Sequence, residues 1–147
     1  MVEQTKEPLA DFLKFMSSRG LSTTNQRKTI AEAFFGLPGH HSLEEFYRYI
    51  ADQDPSIGQT TVYRTLKLLC EAGLANEIQF SDNIMRFEVA KPHHHHDHMI
   101  CLKCGKIIEI CDLRIENLQK EIAAKHNFKL TGHSHNLYGY CERCRPD

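Results

Sequence analysis

Apolar residues recur at helical spacing over residues 8–19, where Leu9, Phe12, Leu13 and Met16 share one face. Gly20 follows where a C-terminal cap belongs. A second helix is expected after Ser22-Thr23-Thr24, carrying Ile30, Ala33 and Phe34 and ending at the breaker Gly36-Leu37-Pro38-Gly39. Ser42, with Glu45 three residues on, is a capping box. The helix it opens carries Phe46, Tyr49 and Ile50 and stops near Asp54-Pro55. Gly58 precedes a fourth helix, Gln59 to Cys70, with Val62, Leu66 and Leu69 as its buried stripe and Ala72-Gly73 as its end.

The period then changes. Leu74–Phe80 and Ile84–Val89 read as extended segments joined by the turn formers Ser81-Asp82-Asn83. Several helices followed by a hairpin is the order of a winged helix-turn-helix, and a helical bundle with an appended hairpin is the alternative. Lys91-Pro92 reads as a hinge. Beyond it, strands are expected at 97–102 and 106–110, around Cys101 and Cys104. Asp112 is placed to cap a helix with Leu113, Ile115, Leu118 and Ile122 as its core face, and residues 127–140 are expected to return as strands. The pattern is α+β, with a first domain over 1–90 and a second over 91–147.

Composition sharpens the division. Eight of the ten His and five of the six Cys lie after residue 90. Such a concentration means a disulfide framework or a metal site. Met1 to Leu9 has no apolar signal core, so a cytoplasmic protein with reduced thiols is expected, which favours metal. No apolar run approaches the ~20 residues a membrane span needs. Net charge argues against a simple nucleic-acid binder. Residues 1–90 hold 9 Lys/Arg against 12 Asp/Glu, a balance of −3, and residues 91–147 hold 9 against 7, a balance of +2. Basic groups for DNA must therefore be placed locally.

Cys101 with Cys104 and Cys141 with Cys144 are two C-x-x-C pairs separated by 36 residues. Each pair can present two thiolates from a tight turn, and together they suit a closed tetrahedral structural zinc site. A redox site would need one pair. Gly105 suits the sharp knuckle turn. Cys70 reads as a core residue, and Cys111 has no partner at ligand spacing.

His93-His94-His95-His96-Asp97-His98 is the most unusual segment. On a strand, alternate side chains share a face, so His96 and His98 point one way and His95 and Asp97 the other. That arrangement suits two metal sites on opposite faces of one strand. Glu88, Glu109, Glu116, His133 and either His40 or His41 are candidate further ligands. Mixed imidazole and carboxylate sets suit Fe(II), Mn(II), Co(II), Ni(II) and Zn(II) without separating them. A solvated His-rich hinge with adventitious affinity is the alternative. A metalloenzyme or a metal store is disfavoured, because no H-E-x-x-H or G-x-S-x-G is present and a store needs no helix-turn-helix.

Together these motifs resemble the ferric uptake regulator (Fur) family. They are the run from His95 through His98, Cys101, Cys104, Gly105 and Lys106 to Glu109, Thr60-Thr61-Val62-Tyr63-Arg64-Thr65-Leu66, Glu121 to His126, and Leu137-Tyr138-Gly139-Tyr140-Cys141. The resemblance runs from about residue 8 to 144. It implies a non-enzymatic, metal-dependent repressor of metal-uptake genes, a homodimer or a tetramer, with a winged helix from each chain on a palindromic double-stranded DNA operator and a C-terminal dimerisation domain. It implies structural Zn(II) on Cys101, Cys104, Cys141 and Cys144. The implied regulatory site is His40, Glu88, His96, His98 and Glu109, and an additional site is His95, Asp97, Glu116 and His133. The peroxide-sensing branch has Asp where this chain has Glu88 and Glu109, so Fe(II) is the expected regulatory metal, with Mn(II), Co(II) or Zn(II) as surrogates and a zinc- or peroxide-responsive repressor as the alternative. His93, His94 and His135 are extra and carry no assigned role. The helix beginning near Thr60 would enter the major groove. Gln59, Thr60, Thr61, Tyr63 and Arg64 would face it, and Arg19, Gln26 and Arg27 would hold the backbone.

Overall fold

The structure, a computed structural model, describes residues 2–90 and 97–146, with side chains from residue 7 on. The expected hinge at Lys91-Pro92 and the histidines His93, His94, His95 and His96 lie outside the described residues. The chain divides into two compact units, Met1–Lys91 and Pro92–Asp147. Among the described residues no helix is long and apolar enough to cross a membrane.

The first unit is a winged helix-turn-helix. Its elements are α1 (Val2–Ser18), α2 (Asn25–Gly36), β1 (His41–Ser42), α3 (Leu43–Gln53), α4 (Gln59–Glu71), β2 (Ala75–Gln79) and β3 (Met85–Val89). The helix ends follow local chemistry. The Thr24 side chain accepts from the Arg27 N–H and Ser42 Oγ accepts from the Glu45 N–H at 3.1 Å, so both N-caps are made. Gly20, at φ 67°, lets the chain turn back so that the Leu21 N–H reaches the Met16 carbonyl. At the wing tip Asn83 takes φ 61° and the Asp82 carboxylate accepts from the Ile84 N–H.

Phe12, Met16, Ile30, Phe34, Phe46, Ile50, Ile57, Val62, Leu66 and Leu69 form the buried core between the helices, and Ala75 and Phe87 close it from the sheet. Phe34 and Phe46 meet edge to face at 5.7 Å. The sheet order is β1-β3-β2, all antiparallel, with His41 opposite Phe87 and Glu77 opposite Phe87 on the other side. Two features differ from the sequence expectation. α1 begins at Val2 rather than residue 8 and runs through Pro8. β1 was not foreseen, because two residues carry no periodicity.

The second unit contains β4 (Asp97–Cys101), β5 (Ile107–Ile110), α5 (Leu113–Lys125) and β6 (Asn136–Gly139). β4 is central, antiparallel to β5 and parallel to β6. Residues 127–135 are irregular, not strand, and Asn127 at φ 51° turns the chain out of α5. Asp112 caps α5 as expected. The expected core face of α5 is not buried within the chain, since Leu113, Leu118 and Ile122 are 69%, 56% and 57% exposed and Ala123 alone is buried on this helix. The buried residues of this unit among those described are Asp97, His98, Cys101 and Ala123, a set with little apolar content.

Because Ser42 satisfies an otherwise bare N–H at the start of α3, Ser42→Ala should lower stability by about 1 kcal/mol without changing metal content, read as a shifted urea midpoint.

Candidate metal centres and nucleic-acid face

The four cysteines of the two C-x-x-C pairs come together at one end of the second unit. Cys101 ends β4, Cys104 follows in the knuckle where Gly105 takes φ 74°, and Cys141 and Cys144 lie in a second knuckle after β6. Their sulfurs all lie within 4.8 Å of one another, and Cys104 Sγ is 3.7 Å from Cys141 Sγ. Disulfide sulfurs stand about 2.05 Å apart, so none is formed here, and all six cysteines are free. A zinc tetrahedron with Zn–S of about 2.3 Å sets its sulfurs about 3.8 Å apart, which matches the observed spacing.

The thiol chemistry points the same way. The Cys104 N–H, and after it the N–H of Cys141, hold the Cys101 thiol down to about 6. In Cys141 burial works upward, but the thiols of Cys144 and Cys104 outweigh it and leave the group below its ordinary value. The hydrogen bond with Cys141, then burial, pushes Cys144 up to about 12. The cluster thus holds thiols shifted both below and above their ordinary value, the crowding that a bound cation relieves. The arrangement is consistent with a structural zinc site. Cys70 differs, as burial pushes its thiol up to about 11, and it packs against the core of the first unit. Cys111 is exposed.

Each unit sets an imidazole beside a carboxylate, in contact in the first and at opposing strand positions in the second. In the first, His40 precedes β1 and Glu88 lies on β3. His40 Nε2 is 2.7 Å from Glu88 Oε2, and their side chains are 6% and 12% exposed. The Phe80 ring covers the imidazole at 6.4 Å. His41 is turned aside, its Nε2 at 2.9 Å from the Pro38 carbonyl oxygen. In the second unit, His98 on β4 stands directly opposite Glu109 on β5, so their side chains share one face of the sheet. His98 is buried. His96 lies outside the described residues.

Asp97, one residue before His98, projects to the other face. It is 3% exposed. His133 Nε2 lies 3.5 Å from its Oδ1, and His135 Nδ1 lies 3.2 Å from its Oδ2. Glu116 sits half-buried in the first turn of α5, and His95 lies outside the described residues. His135 was left without a role by the sequence. The signal that finds it is its spacing of two from His133, which puts both imidazoles on one side of an extended chain.

α4 turns its Gln59, Thr60, Tyr63 and Arg64 outward, while Val62, Thr65, Leu66 and Leu69 are buried and Thr61 is intermediate. Thr65 was missing from the expected stripe, and it is buried because its hydroxyl donates to the Thr61 carbonyl within the helix. The N-cap of α4 is Gly58, which offers no side-chain hydrogen bond, and the first turn has no acidic residue. The helix therefore presents bare N–H groups and the positive end of its dipole. Arg19, at the end of α1, lies over the Phe15 ring at 4.8 Å and 3.6 Å from Glu71. Arg27 donates to the Ser22 carbonyl at 2.8 Å, and Gln26 is beside it at the start of α2. Other basic groups are neutralised locally, Lys67 by Glu77, Arg86 by Asp82 and Arg48 by Glu44.

Comparison with known proteins places these features in a group. The model of the "Ferric uptake regulator family" matches residues 18–138. The ferric uptake regulation protein of Yersinia pestis is 42% identical over 142 residues, covering 95% of both chains. The solved ferric uptake regulator of Helicobacter pylori, described as having three functional metal binding sites, superposes with a TM-score of 0.87 at 31% identity, over 97% of this chain and 95% of that one. A zinc uptake regulator solved in complex with zinc and DNA gives a TM-score of 0.61 at 26% identity, over 95% and 93%.

Cys141→Ser leaves three thiols where four are needed, and a unit so poor in buried apolar groups should not hold together without the ion. The variant should lose its tightly held zinc by elemental analysis and lose protection of the β4 amides in hydrogen exchange. A zinc-free variant that keeps native protection would remove the structural role.

Proposed function

The chain belongs to the ferric uptake regulator family, and on that footing we propose that it is an Fe(II)-responsive, DNA-binding transcriptional repressor acting as a homodimer. The observation that carries this is the pair of imidazole–carboxylate couples, His40 with Glu88 in the first unit and His98 with Glu109 in the second. Each couple is half of a ligand set for a divalent ion, and neither is complete alone. His96 is the proposed fifth ligand. When bound, the ion supplies two positive charges that both carboxylates share. His40 and Glu88 of the first unit and His98 and Glu109 of the second would hold that ion, so that its binding would favour one arrangement of the winged helix over others. The shift in population is set by the difference in affinity between that orientation and the others.

Iron is favoured by the glutamates at 88 and 109, longer than the aspartates of the peroxide-sensing branch, and by the names of relatives that match over most of the chain. A zinc response is the second reading, supported by the likeness to the zinc uptake regulator. Asp97 and His133, with His95 and Glu116, are the proposed additional site, and the three sites described for the H. pylori regulator are in keeping with it. On DNA, α4 lies in the major groove with Gln59, Thr60, Thr61, Tyr63 and Arg64 toward the bases, and Arg19, Gln26 and Arg27 hold the phosphates.

The dimer is supported by uncovered apolar surface. Met99, Ile108 and Leu137 stand side by side across β5-β4-β6 and are 41%, 37% and 45% exposed, and Leu113, Leu118 and Ile122 line α5 uncovered. A second copy of the same surface buries them. Met99→Lys combined with Ile108→Lys should therefore give a zinc-containing monomer in sedimentation velocity. If it sediments as wild type, the dimer uses another face.

Operator binding tests the regulatory centre. Zinc-loaded protein is titrated anaerobically into a labelled palindromic A/T-rich duplex with Fe(II), Mn(II), Zn(II) or chelator. Specific binding should appear with Fe(II) or Mn(II). His40→Ala should keep fold and dimer but lose about tenfold or more of the metal-dependent affinity, in line with the usual span of allosteric coupling. A His40→Ala protein with full metal dependence would contradict the shared site, and a response confined to Zn(II) would favour the zinc reading.

A further inference from the structure

We propose that Glu77 holds down sequence-independent DNA binding by keeping the Lys67 ammonium, on the outer stripe of α4, away from phosphate. The proposal rests on the DNA-binding reading above and deepens it by naming a residue that tunes specificity.

Lys67 stands where a phosphate contact is expected. Arg64 and Lys67 are the two cations of α4. Residues three and four apart share a helix face, so Lys67 continues the outward line of Tyr63 and Arg64. A helix whose N-terminal residues meet base edges passes the phosphates that border the groove further along its length. Yet the Lys67 ammonium is engaged by the Glu77 carboxylate, with the two side chains 42% and 26% exposed. The hydrogen bond to Glu77 raises the Lys67 ammonium above its ordinary value, so the pair is ionic.

The fold puts Glu77 there. β2 is an edge strand, and Glu77 stands opposite Phe87 and two residues from Ala75. Opposite and alternate positions of a sheet share a face. Ala75 and Phe87 both belong to the core that holds Val62, Leu66 and Leu69 of α4, so Glu77 lies on the helix side of the wing.

A carboxylate in this place withholds a cation from DNA. Lys67 can reach a phosphate only by leaving an unpaired Glu77 beside a polyanion, which offsets the Coulomb gain. Phosphate contacts supply the affinity for unrelated DNA, whereas base contacts carry specificity. Sparing one cation per protomer therefore lowers binding to unrelated sequence without touching the residues turned toward the bases. The alternative is that the pair only fastens the wing to α4. Its loss would then weaken binding, with no steeper dependence on salt.

The test titrates full-length, zinc-loaded protein with Mn(II) into the palindromic A/T-rich duplex and into a scrambled duplex, between about 50 and 200 mM salt. Wild type, Glu77→Gln and the double variant Glu77→Gln with Lys67→Gln are compared by fluorescence anisotropy. Glu77→Gln should bind the scrambled duplex several-fold tighter at low salt. Its slope of log affinity against log salt should steepen by about 0.9 for each protomer engaged, so that the gain shrinks about 3.5-fold per protomer across that fourfold range. The double variant should return to wild-type affinity and slope, because it carries the same net charge as the ion pair. If Glu77→Gln leaves scrambled-duplex affinity and slope unchanged, or binds more weakly, the proposal is overturned. A double variant that keeps the gain overturns it too, since the effect then does not run through Lys67. A wild type that binds neither duplex removes the DNA-binding reading itself. Zinc content and far-UV circular dichroism report folding, and should Glu77→Gln fail that check, Glu77→Thr carries the same comparison.

Discussion

The alternation of side chains along one five-residue strand governs the second unit. β4 runs from Asp97 to Cys101 at the centre of its sheet. Successive residues of a strand face opposite ways, so Asp97 and His98 serve different faces. Cys101, at the far end, joins the four-thiol cluster. A slip of one residue against β5 would exchange the faces, turning His98 away from Glu109 and Asp97 away from His133 and His135. The register is held by β5 on one side and β6 on the other, and the two cysteine knuckles tie the ends of that sheet together. Apolar burial does little of this work, since three of the four buried described residues in the unit are Asp97, His98 and Cys101.

The first unit rests on the opposite balance. Its core is apolar and aromatic, and its caps are made by side chains adjacent in sequence. Such a unit is expected to hold its shape without an ion. Its negative balance of charge is compatible with a DNA-facing helix because the charges are sorted. Glu44, Glu77 and Asp82 are engaged by neighbouring cations, while α4 starts without acids and with free N–H groups. The proposed DNA face needs this sorting, and the proposed regulatory centre asks of the unit one buried imidazole and one largely buried carboxylate.

Most of this was legible in the sequence where the signal is local. Ser42 with Glu45, Gly20 and the turn at Asp82-Asn83 declare themselves through hydrogen bonds made within a few residues. The Cys pairs declare their chemistry by spacing alone. What was misread depends on context that periodicity does not carry. The stripe Leu113, Leu118 and Ile122 was correctly apolar, but the sequence cannot say whether the same chain or a second copy covers it. Residues 127–135 alternate too weakly to separate strand from irregular chain, and the pairing of β6 with β4 arises only from a parallel contact distant in sequence. His135 was visible as an extra histidine, and its closeness to a buried carboxylate 38 residues away shows only in the fold.

In the proposed mechanism one ion takes ligands from both units and so couples metal to DNA. Binding linkage makes this reciprocal, because whatever factor the metal adds to operator affinity, the operator must add to metal affinity. The direct measurement is the Mn(II) or Fe(II) affinity of zinc-loaded dimer, by chelator competition, with and without saturating operator. Coupling of the usual size predicts metal binding about 5- to 150-fold tighter in the presence of the operator and no change with a scrambled duplex. Equal metal affinity with and without operator would contradict it.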